Sequence, residues 1–289
     1  MMPSPAHIMT VNDFLAGDVD LCSPPEVFTL VSQALDDDTK GANDIAELIE
    51  RDSSLSARML KIVNSAFFGF PARIKSISHA VTILGDRDLR MLVMTTSVVE
   101  RFADQPNSLL SMRDFWAHSL KVALCAKFLA ARHPKKRQLS SVFISALLHD
   151  IGRLVMYTKA PDLARFAALT AKTERVTEID AEISGFGFSH ADLGGALLNQ
   201  WKVPESLQHA AYFHHNPELA ESDQDEVRLV YIANKLAHAD PMSEESIHAH
   251  ISPDDPVWLS IDLPYNVITP VLSEVSEQFE LSYSLFFGR

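Results

Sequence analysis

Cysteine is nearly absent from this chain of 289 residues, which has two, Cys22 and Cys125. Two thiols are too few for a disulfide framework. Cys125 lies in an apolar helical pattern and reads as a small buried hydrophobe rather than an activated nucleophile. Glycine is scarce as well, at 10 residues, while 47% of residues are hydrophobic; that balance suits a folded, helix-rich protein and excludes a disordered one. Positive charge is short: 25 Lys and Arg against 38 Asp and Glu give a net charge of −13 at pH 7. Such a field repels nucleic-acid phosphates and argues against general nucleic-acid binding. The one basic run, Lys135-Lys136-Arg137, reads as a solvated loop between helices. No apolar stretch approaches the length of a membrane span. Residues 1–20 carry Asp13, Asp18 and Asp20 where a secretory signal would place basic residues and an apolar run. The expectation is a soluble, cytoplasmic protein. No alternation of period two is long enough for a strand, and no glycine-rich phosphate loop occurs. Gly185-Phe186-Gly187 lacks the strand and further glycine of a dinucleotide fingerprint, and no serine sits in a nucleophile elbow.

What is present reads as helix throughout, so the expected fold is all-α, with length for one large domain or two intimate ones. A first helix follows Ser23-Pro24-Pro25, with Val27, Leu30, Val31 and Leu35 at helical spacing. A second starts near Asn43, and Asp52-Ser53-Ser54 opens a third with Leu55, Met59, Ile62 and Val63 inward. Ser76 to Leu84 reads as a short helix stopped by Gly85, and Asp86 to Phe102 as a longer one. Pro106 and Asn107 mark a loop, with a weak boundary near 106–111. Beyond it, Phe115, His118, Val122, Cys125, Ala126 and Leu129 share one helical face. Ser141 to Leu154 reads as one helix with His149 and Asp150 about 100° apart on it. Ser189 and Asp192 form a capping box that puts His190 in a first turn. Pro204 suits the first turn of a helix on which Leu207, Ala211 and His214 align. Further helices are expected over Val227 to His238 and Tyr265 to Phe279.

Five of the twelve histidines carry the chemistry, together with one aspartate. His118, the pair His149-Asp150, His190 and the doublet His214-His215 supply imidazole and carboxylate donors of the kind that hold iron, manganese or zinc. A carboxylate has two oxygens and can bridge two ions. One ion would take His118, His149, Asp150 and a ligand from a later helix; a second would take Asp150, His190, His214 and His215. The second set is complete. The first ends at Asn234, which offers only a neutral carbonyl oxygen. An anionic ligand balances metal charge and tunes the acidity of bound water, so its loss argues for one ion rather than two. A histidine on an apolar face is by itself more often a hydrogen-bonded core residue than a ligand. The remaining histidines, His7, His79, His133, His209, His238, His248 and His250, read as surface or structural.

Ala146-Leu147-Leu148-His149-Asp150-Ile151-Gly152 resembles the signature of the HD superfamily of metal-dependent phosphohydrolases. Ile49-Glu50-Arg51-Asp52-Ser53-Ser54-Leu55, Val63-Asn64-Ser65-Ala66-Phe67-Phe68-Gly69, Ile77-Ser78-His79-Ala80-Val81 and Leu84-Gly85 narrow the likeness to the HDOD domain, the HD-related output domain of bacterial signalling proteins. Ser189 to Gly194, Trp201-Lys202-Val203-Pro204 and His214-His215 continue it. The resemblance implies an HDOD domain over 21–240, with an N-terminal helical half (21–106) packed on an HD-like half (107–240). Residues 1–20 would form an N-terminal extension and 241–289 a C-terminal helical extension packed on the domain. The motif residues also have structural readings: Asn64-Ser65 as a cap or bridge, and Phe67, Phe68 and Phe70 as packing, or as a docking surface if exposed.

The resemblance implies a regulatory output module that binds a divalent metal, iron first and manganese or zinc next, and acts through a signalling protein partner. The alternative is a one-metal phosphohydrolase, a phosphodiesterase or nucleotidase, with Asp150 as the candidate catalytic residue. A third reading is a metal or redox sensor in which the ion is the signal. The sister group that hydrolyses cyclic di-GMP carries an Asp-Gly…Gly-Tyr-Pro segment after its histidine doublet. Asn216-Pro217-Glu218 stands there in this chain, which argues against that reaction.

Overall fold

The computed structural model describes residues 10–16, 22–65, 70, 72–103 and 111–287. Among them every regular element is a helix and none is a strand, the outcome expected from a sequence without period-two alternation. The chain divides into two compact units, one from 24–105 with 278–289 and one from 1–23 with 106–277. Among the described residues no helix is long and apolar enough to cross a membrane.

The first helix, α1 (Val11–Ala16), belongs to the second unit, where Phe14 packs edge-on against Phe186 and Phe188. The first unit holds α2 (Glu26–Leu35), α3 (Ala42–Glu50), α4 (Ser53–Val63) and α5 (Ile77–Ala103). Asp52 caps α4 by accepting from Leu55 N at 2.9 Å, and Leu55, Met59 and Ile62 are buried behind it. Asn64 then closes the helix and ties the following loop to it. Its amide donates to Leu60 O and Ile74 O, both at 2.8 Å, and its carbonyl accepts from Ile74 N at 2.7 Å. Gly85 interrupts α5 with φ 72° and ψ 169°, a conformation that suits glycine, at the position where the sequence predicts a stop. Phe70 is half-buried; Phe67 and Phe68 lie outside the described residues.

The second unit holds α6 (Met112–Arg132), α7 (Val142–Leu148), α8 (Ile151–Lys159), α9 (Pro161–Glu174), α10 (Glu178–Phe186), α11 (His190–Gln200), α12 (Glu205–Phe213), α13 (Gln224–Leu236), α14 (Glu244–His250), α15 (Pro256–Ser260) and the first half of α16 (Ile268–Phe287). Leu120, Leu124 and Leu129 on α6 are fully buried, each stabilising the fold by roughly 1.5–3 kcal/mol. Cys125 is buried as expected, and burial pushes its thiol up to about 12. Lys135-Lys136-Arg137 is exposed between α6 and α7, with Lys135 paired to Asp225 at 2.7 Å. The single helix expected over 141–154 is two. His149 and Asp150 form the turn between α7 and α8, and Asp150 leaves helical geometry at φ −96°, ψ 13°. The apolar pattern continues across that turn because both helices bury the same face, which is why spacing alone does not show the break.

Three glycines set how closely the helices carrying the histidines approach. A Cβ on Gly152 of α8 would lie 2.0 Å from His190 O and 2.6 Å from Gly194 N, both backbone atoms of α11. A Cβ on Gly195 would lie 2.2 Å from the Tyr212 ring on α12. Alanine at Gly152 would therefore force α8 and α11 apart, and its better helix propensity, about 1 kcal/mol, cannot offset a clash with backbone. Gly152→Ala is expected to destabilise the chain by about 3 kcal/mol, at the upper end for overpacking. Gly194→Ala, whose Cβ would meet Gly152 N at 3.2 Å, a tight contact but without the overlap at Gly152, should cost clearly less. Urea denaturation of the two variants checks the order; equal costs would show that the backbone contact does not limit the approach.

Candidate metal centre

His149 and Asp150 enter the interior from the α7–α8 turn, His190 from the first turn of α11, and His214 and His215 from the end of α12. His190 is placed by the expected capping box: Ser189 accepts from Asp192 N at 3.2 Å, and Asp192 accepts from Ser189 N at 2.9 Å. His149, Asp150, His190 and His214 are at most 3% exposed, and His215 is half-buried. The ligand atoms of Asp150, His190, His214 and His215 all lie within 4.8 Å of one another, as do those of His118, His149 and Asp150. Asp150 is common to both groups. Its Oδ1 stands 3.2 Å from His190 Nε2 and 3.4 Å from His214 Nε2, and its Oδ2 stands 3.6 Å from His149 Nε2.

The ring tautomers follow from what each Nδ1 touches. His149 Nδ1 meets Ala146 O at 2.7 Å and His214 Nδ1 meets Ala211 O at 2.8 Å. A carbonyl oxygen only accepts, so both rings carry a proton on Nδ1 and turn Nε2 toward Asp150; His149, kept neutral by burial, offers a lone pair there. His149 Nε2, His214 Nε2 and Asp150 Oδ1 are buried without a hydrogen-bond partner: they converge on a shared point but do not bond to one another. His190 differs. Its Nδ1 and its backbone N–H both donate to Glu182 Oε2, at 2.7 and 2.8 Å, and its Nε2 lies 3.0 Å from His215 Nε2. A carboxylate behind a histidine is the arrangement that fixes a metal-facing imidazole.

Burial pushes His149 down to about 3, against the pull of Asp150. Burial, with His214 and His190 alongside, pushes His215 down to about 2. For His190 burial also acts downward, but contacts with Asp150 and Glu182 outweigh it and raise the ring to about 9. Burial alone would raise Asp150; neighbouring His149 and Arg153 outweigh it and hold the carboxyl well below its usual range. The cluster thus combines neutral imidazoles, an ionised carboxylate and one protonated ring set between two acids. Its donor set could hold a metal ion.

The second group is less complete. His118 hydrogen-bonds the side chain of Asn234, so Asn234 supports a ring of this group. His118 also stacks on His238, with ring centroids 4.8 Å apart and planes at 27°, and His238 in turn lies 6.4 Å from His250. His238, read from sequence as unconnected, therefore borders the cluster. Three further residues escaped the sequence reading: Glu182 behind His190, Arg153 with Nη1 3.6 Å from Asp150 Oδ2, and Glu178, which pairs with Arg153. Arg153, one turn after Asp150, was legible as an i, i+3 partner; Glu182 and Glu178 lie on a helix whose pattern gave no signal.

These shifts fix how stability of chelator-treated protein should vary with pH. His190 is raised, so its contribution is complete below 6.5 and is lost as pH rises toward about 9. His149 and His215 are lowered, so the folded chain refuses protons that the unfolded chain takes up, and stability falls as pH drops below 6.5. A maximum near pH 6.5 is expected in urea denaturation. The decline above it is read up to about pH 8, where Lys127, lowered to about 8 by burial, begins to act in the opposite sense. His190→Gln should abolish that decline and leave the acid limb; a decline that persists would assign it to another group.

The model of the HDOD domain family matches residues 21–217, more than half of the chain. An uncharacterised protein of Treponema pallidum (strain Nichols) is 27% identical over 245 residues, covering 81% of this chain and 46% of its own length; the chain spans about half of that relative. Among solved structures, an HDOD domain protein of unknown function from Geobacter sulfurreducens is 24% identical, with 96% of this chain and 97% of that chain covered and a TM-score of 0.69. A candidate phosphohydrolase from Shewanella amazonensis SB2B is 23% identical, with coverage of 95% and 97% and a TM-score of 0.70. A candidate signal transduction protein from Marinobacter aquaeolei VT8 is 18% identical, with coverage of 92% and 59% and a TM-score of 0.66. These likenesses establish a common helical fold, and with the family match over 21–217 the chain belongs to the HDOD domain family.

Proposed function

We propose that this chain is a cytoplasmic regulatory output module of bacterial signal transduction that holds one divalent metal ion and acts through a protein partner. The ion is iron first, with manganese or zinc as alternatives, and its ligands are Asp150, His190, His214 and His215. The observation that carries the reading is that the ligand atoms of these four residues all lie within 4.8 Å of one another, with His214 Nε2 and Asp150 Oδ1 buried and lacking a well-formed hydrogen bond. A buried polar atom without a partner costs about 1–3 kcal/mol, and a cation among these atoms would relieve that cost. Membership of the HDOD domain family, an output domain in signalling, supports the regulatory role, as does the fold shared with the Marinobacter signal transduction protein. We infer one ion rather than two because Asn234 brings no charge and already hydrogen-bonds His118.

In this reading each residue has a defined task. Ala146 O and Ala211 O hold the rings of His149 and His214 in the metal-facing tautomer. Glu182 orients His190, and Arg153 steadies the ionised Asp150. When bound, the ion would supply positive charge and Lewis acidity at the junction of the α7–α8 turn, α11 and α12. His190 donates through both ring nitrogens when protonated, so loading an ion there displaces a proton. One-metal phosphohydrolysis is the second reading. It is favoured by the complete Asp150, His190, His214 and His215 set, with Asp150 placed to orient a water; the likeness to the Shewanella candidate phosphohydrolase agrees with it in fold. Asn216 and the short helical turn Pro217–Leu219 after the doublet argue against cyclic di-GMP hydrolysis.

Elemental analysis of protein purified without added metal or a metal-binding tag should find about one ion per chain, lost in Asp150→Ala and in His190→Ala. Calorimetric titration of chelator-treated protein with manganese in buffers of different ionisation enthalpy should show about one proton released per ion near neutral pH. Refusal to take up iron, manganese or zinc would sink the metal site and leave a hydrogen-bonded shell. Hydrolysis of bis(p-nitrophenyl) phosphate by the loaded protein, lost in a folded Asp150→Ala variant, would decide for the phosphohydrolase reading over the regulatory one.

A further inference from the structure

His118 lies outside the four proposed ligands, yet it belongs to a line of imidazoles that runs from the interior to the surface. His149 is 0% exposed, His118 is half-buried and His238 is exposed. The ring centroids of His149 and His118 are 5.6 Å apart, those of His118 and His238 4.8 Å, and those of His238 and His250 6.4 Å. Each ring comes from a different place in the chain: the α7–α8 turn, α6, the turn after α13 and the last residue of α14. At the inner end the ligand atoms of His118, His149 and Asp150 all lie within 4.8 Å of one another. At the outer end His250 Nδ1 meets Ser246 O at 2.8 Å, which puts a proton on Nδ1 and leaves the neutral ring a lone pair on Nε2.

The charges along this line select a cation. His238 stands within electrostatic reach of Asp150 and Glu178. Arg153 reaches it too, but Asp150 and Glu178 already pair with that guanidinium. The stretch from His238 to His250 carries exposed Asp240, Glu244 and Glu245 and no Lys or Arg. Such a surface draws cations toward its rings and repels phosphates. Asn234 gives His118 a hydrogen bond but no charge, so a cation at that ring is held more weakly than one beside Asp150 and the inner imidazoles. Affinity therefore rises inward. Stacking alone would be served equally by phenylalanine; what the imidazoles add is a lone pair at each step.

We propose that His250, His238 and His118 form the route by which a divalent cation enters the buried cluster. His149, Asp150, His190 and His214 are at most 3% exposed, so an ion must exchange its waters for protein donors before it reaches them. Imidazoles at these spacings offer the next donor before the last is released, and none of the three has to hold the ion at equilibrium. The proposal rests on the metal reading and deepens it, giving His118 and His238 a task that the four ligands leave open. The competing entrance is His215, half-buried at the end of α12. Among the described residues its ring contacts are with His190 and His214, which lead inward.

Stopped-flow mixing of cobalt(II) with the chelator-treated full chain tests it. Cobalt takes the nitrogen and carboxylate donors that suit iron and zinc, and its arrival is read as quenching of tryptophan fluorescence; Trp116 lies two residues before His118 on α6. A residue on the route changes the barrier and not the end states, so uptake and release must slow together. His238→Ala should lower both rates by about tenfold, and His250→Ala by a smaller factor, while the dissociation constant stays within about twofold of wild type. Elemental analysis should find the same metal content in each. His238→Phe keeps a stacked ring without a lone pair and should be as slow as His238→Ala; His238→Asp keeps a metal donor without the ring and should recover most of the rate. Circular dichroism melts confirm that these variants fold. Wild-type rates in His238→Phe would show that the ring only packs, and wild-type rates in both alanine variants would place entry at His215; either overturns the route. A dissociation constant that weakens as much as uptake slows would make His238 a ligand of the final site and overturns it too. In all of these the wild type still loads. Wild-type protein that takes up neither cobalt nor zinc overturns the metal reading instead, and the route with it.

Discussion

The cluster depends on how thin α11 is on two neighbouring faces, about 100° apart. Gly194 lets α8 come in from one side, and Gly195 lets α12 come in from the other. Because Gly152 on α8 has no side chain, His190 O and Gly194 N can sit where a Cβ would otherwise stand. Asp150 is two residues before Gly152, and His214 is two residues after Tyr212, the ring that fills the space over Gly195. The spacing between the acid and the imidazoles is thus inherited from backbone contacts rather than from the ligands themselves. A core packed this closely transmits any widening directly to the site. The buried Glu226 on α13, held by Ser141 and Ser145, adds a second tie between the helix that carries Asn234 and the one that leads to His149.

Electrostatics then sets what the cluster demands. Asp150 and Glu182 are both buried and flank one imidazole, and two carboxylates in a low-dielectric interior require a positive partner. A proton on His190 meets that requirement in part, which is the cause of its rise to about 9. The same surroundings deny a proton to His149 and His215, so these rings retain lone pairs. A cluster that wants positive charge but refuses protons at His149 and His215 suits the proposed metal cation.

The sequence announced most of this, but unevenly. The order of His118, His149-Asp150, His190 and His214-His215 was legible because four separate helical patterns each delivered a polar residue to an apolar face. Capping chemistry placed His190 correctly, since Ser189 and Asp192 act within four residues and need no tertiary context. The break at His149-Asp150 was not legible, because two helices burying the same face preserve the periodicity of one. Glu182 was missed for a different reason: α9 buries alanines and exposes its large residues, and the short α10 buries only Ala181, Glu182 and Phe186, so neither shows the pattern that marks a helix and its inward face. His238 was read as surface or structural because no constellation supported it; its stacking on His118 is a tertiary contact that helical spacing does not predict.

Asn234 shows why a changed residue need not mean a lost site. An aspartate at that point would add a negative charge to the His118 group and favour a second ion there. The asparagine instead gives His118 a neutral hydrogen-bond partner and leaves Asp150 the sole carboxylate facing both groups of rings, so charge is concentrated on the His190, His214 and His215 side. That side is also the one supported by α10, through Glu182 at His190 and through Glu178 and Arg153 at Asp150. Loss of the distant anion therefore moves the centre of the proposed site toward that helix. For the proposed regulatory module, a cluster whose aspartate and imidazole are both braced from one helix, through Glu178 with Arg153 and through Glu182, passes a change at the site into that helix more directly than one shared evenly between two ions.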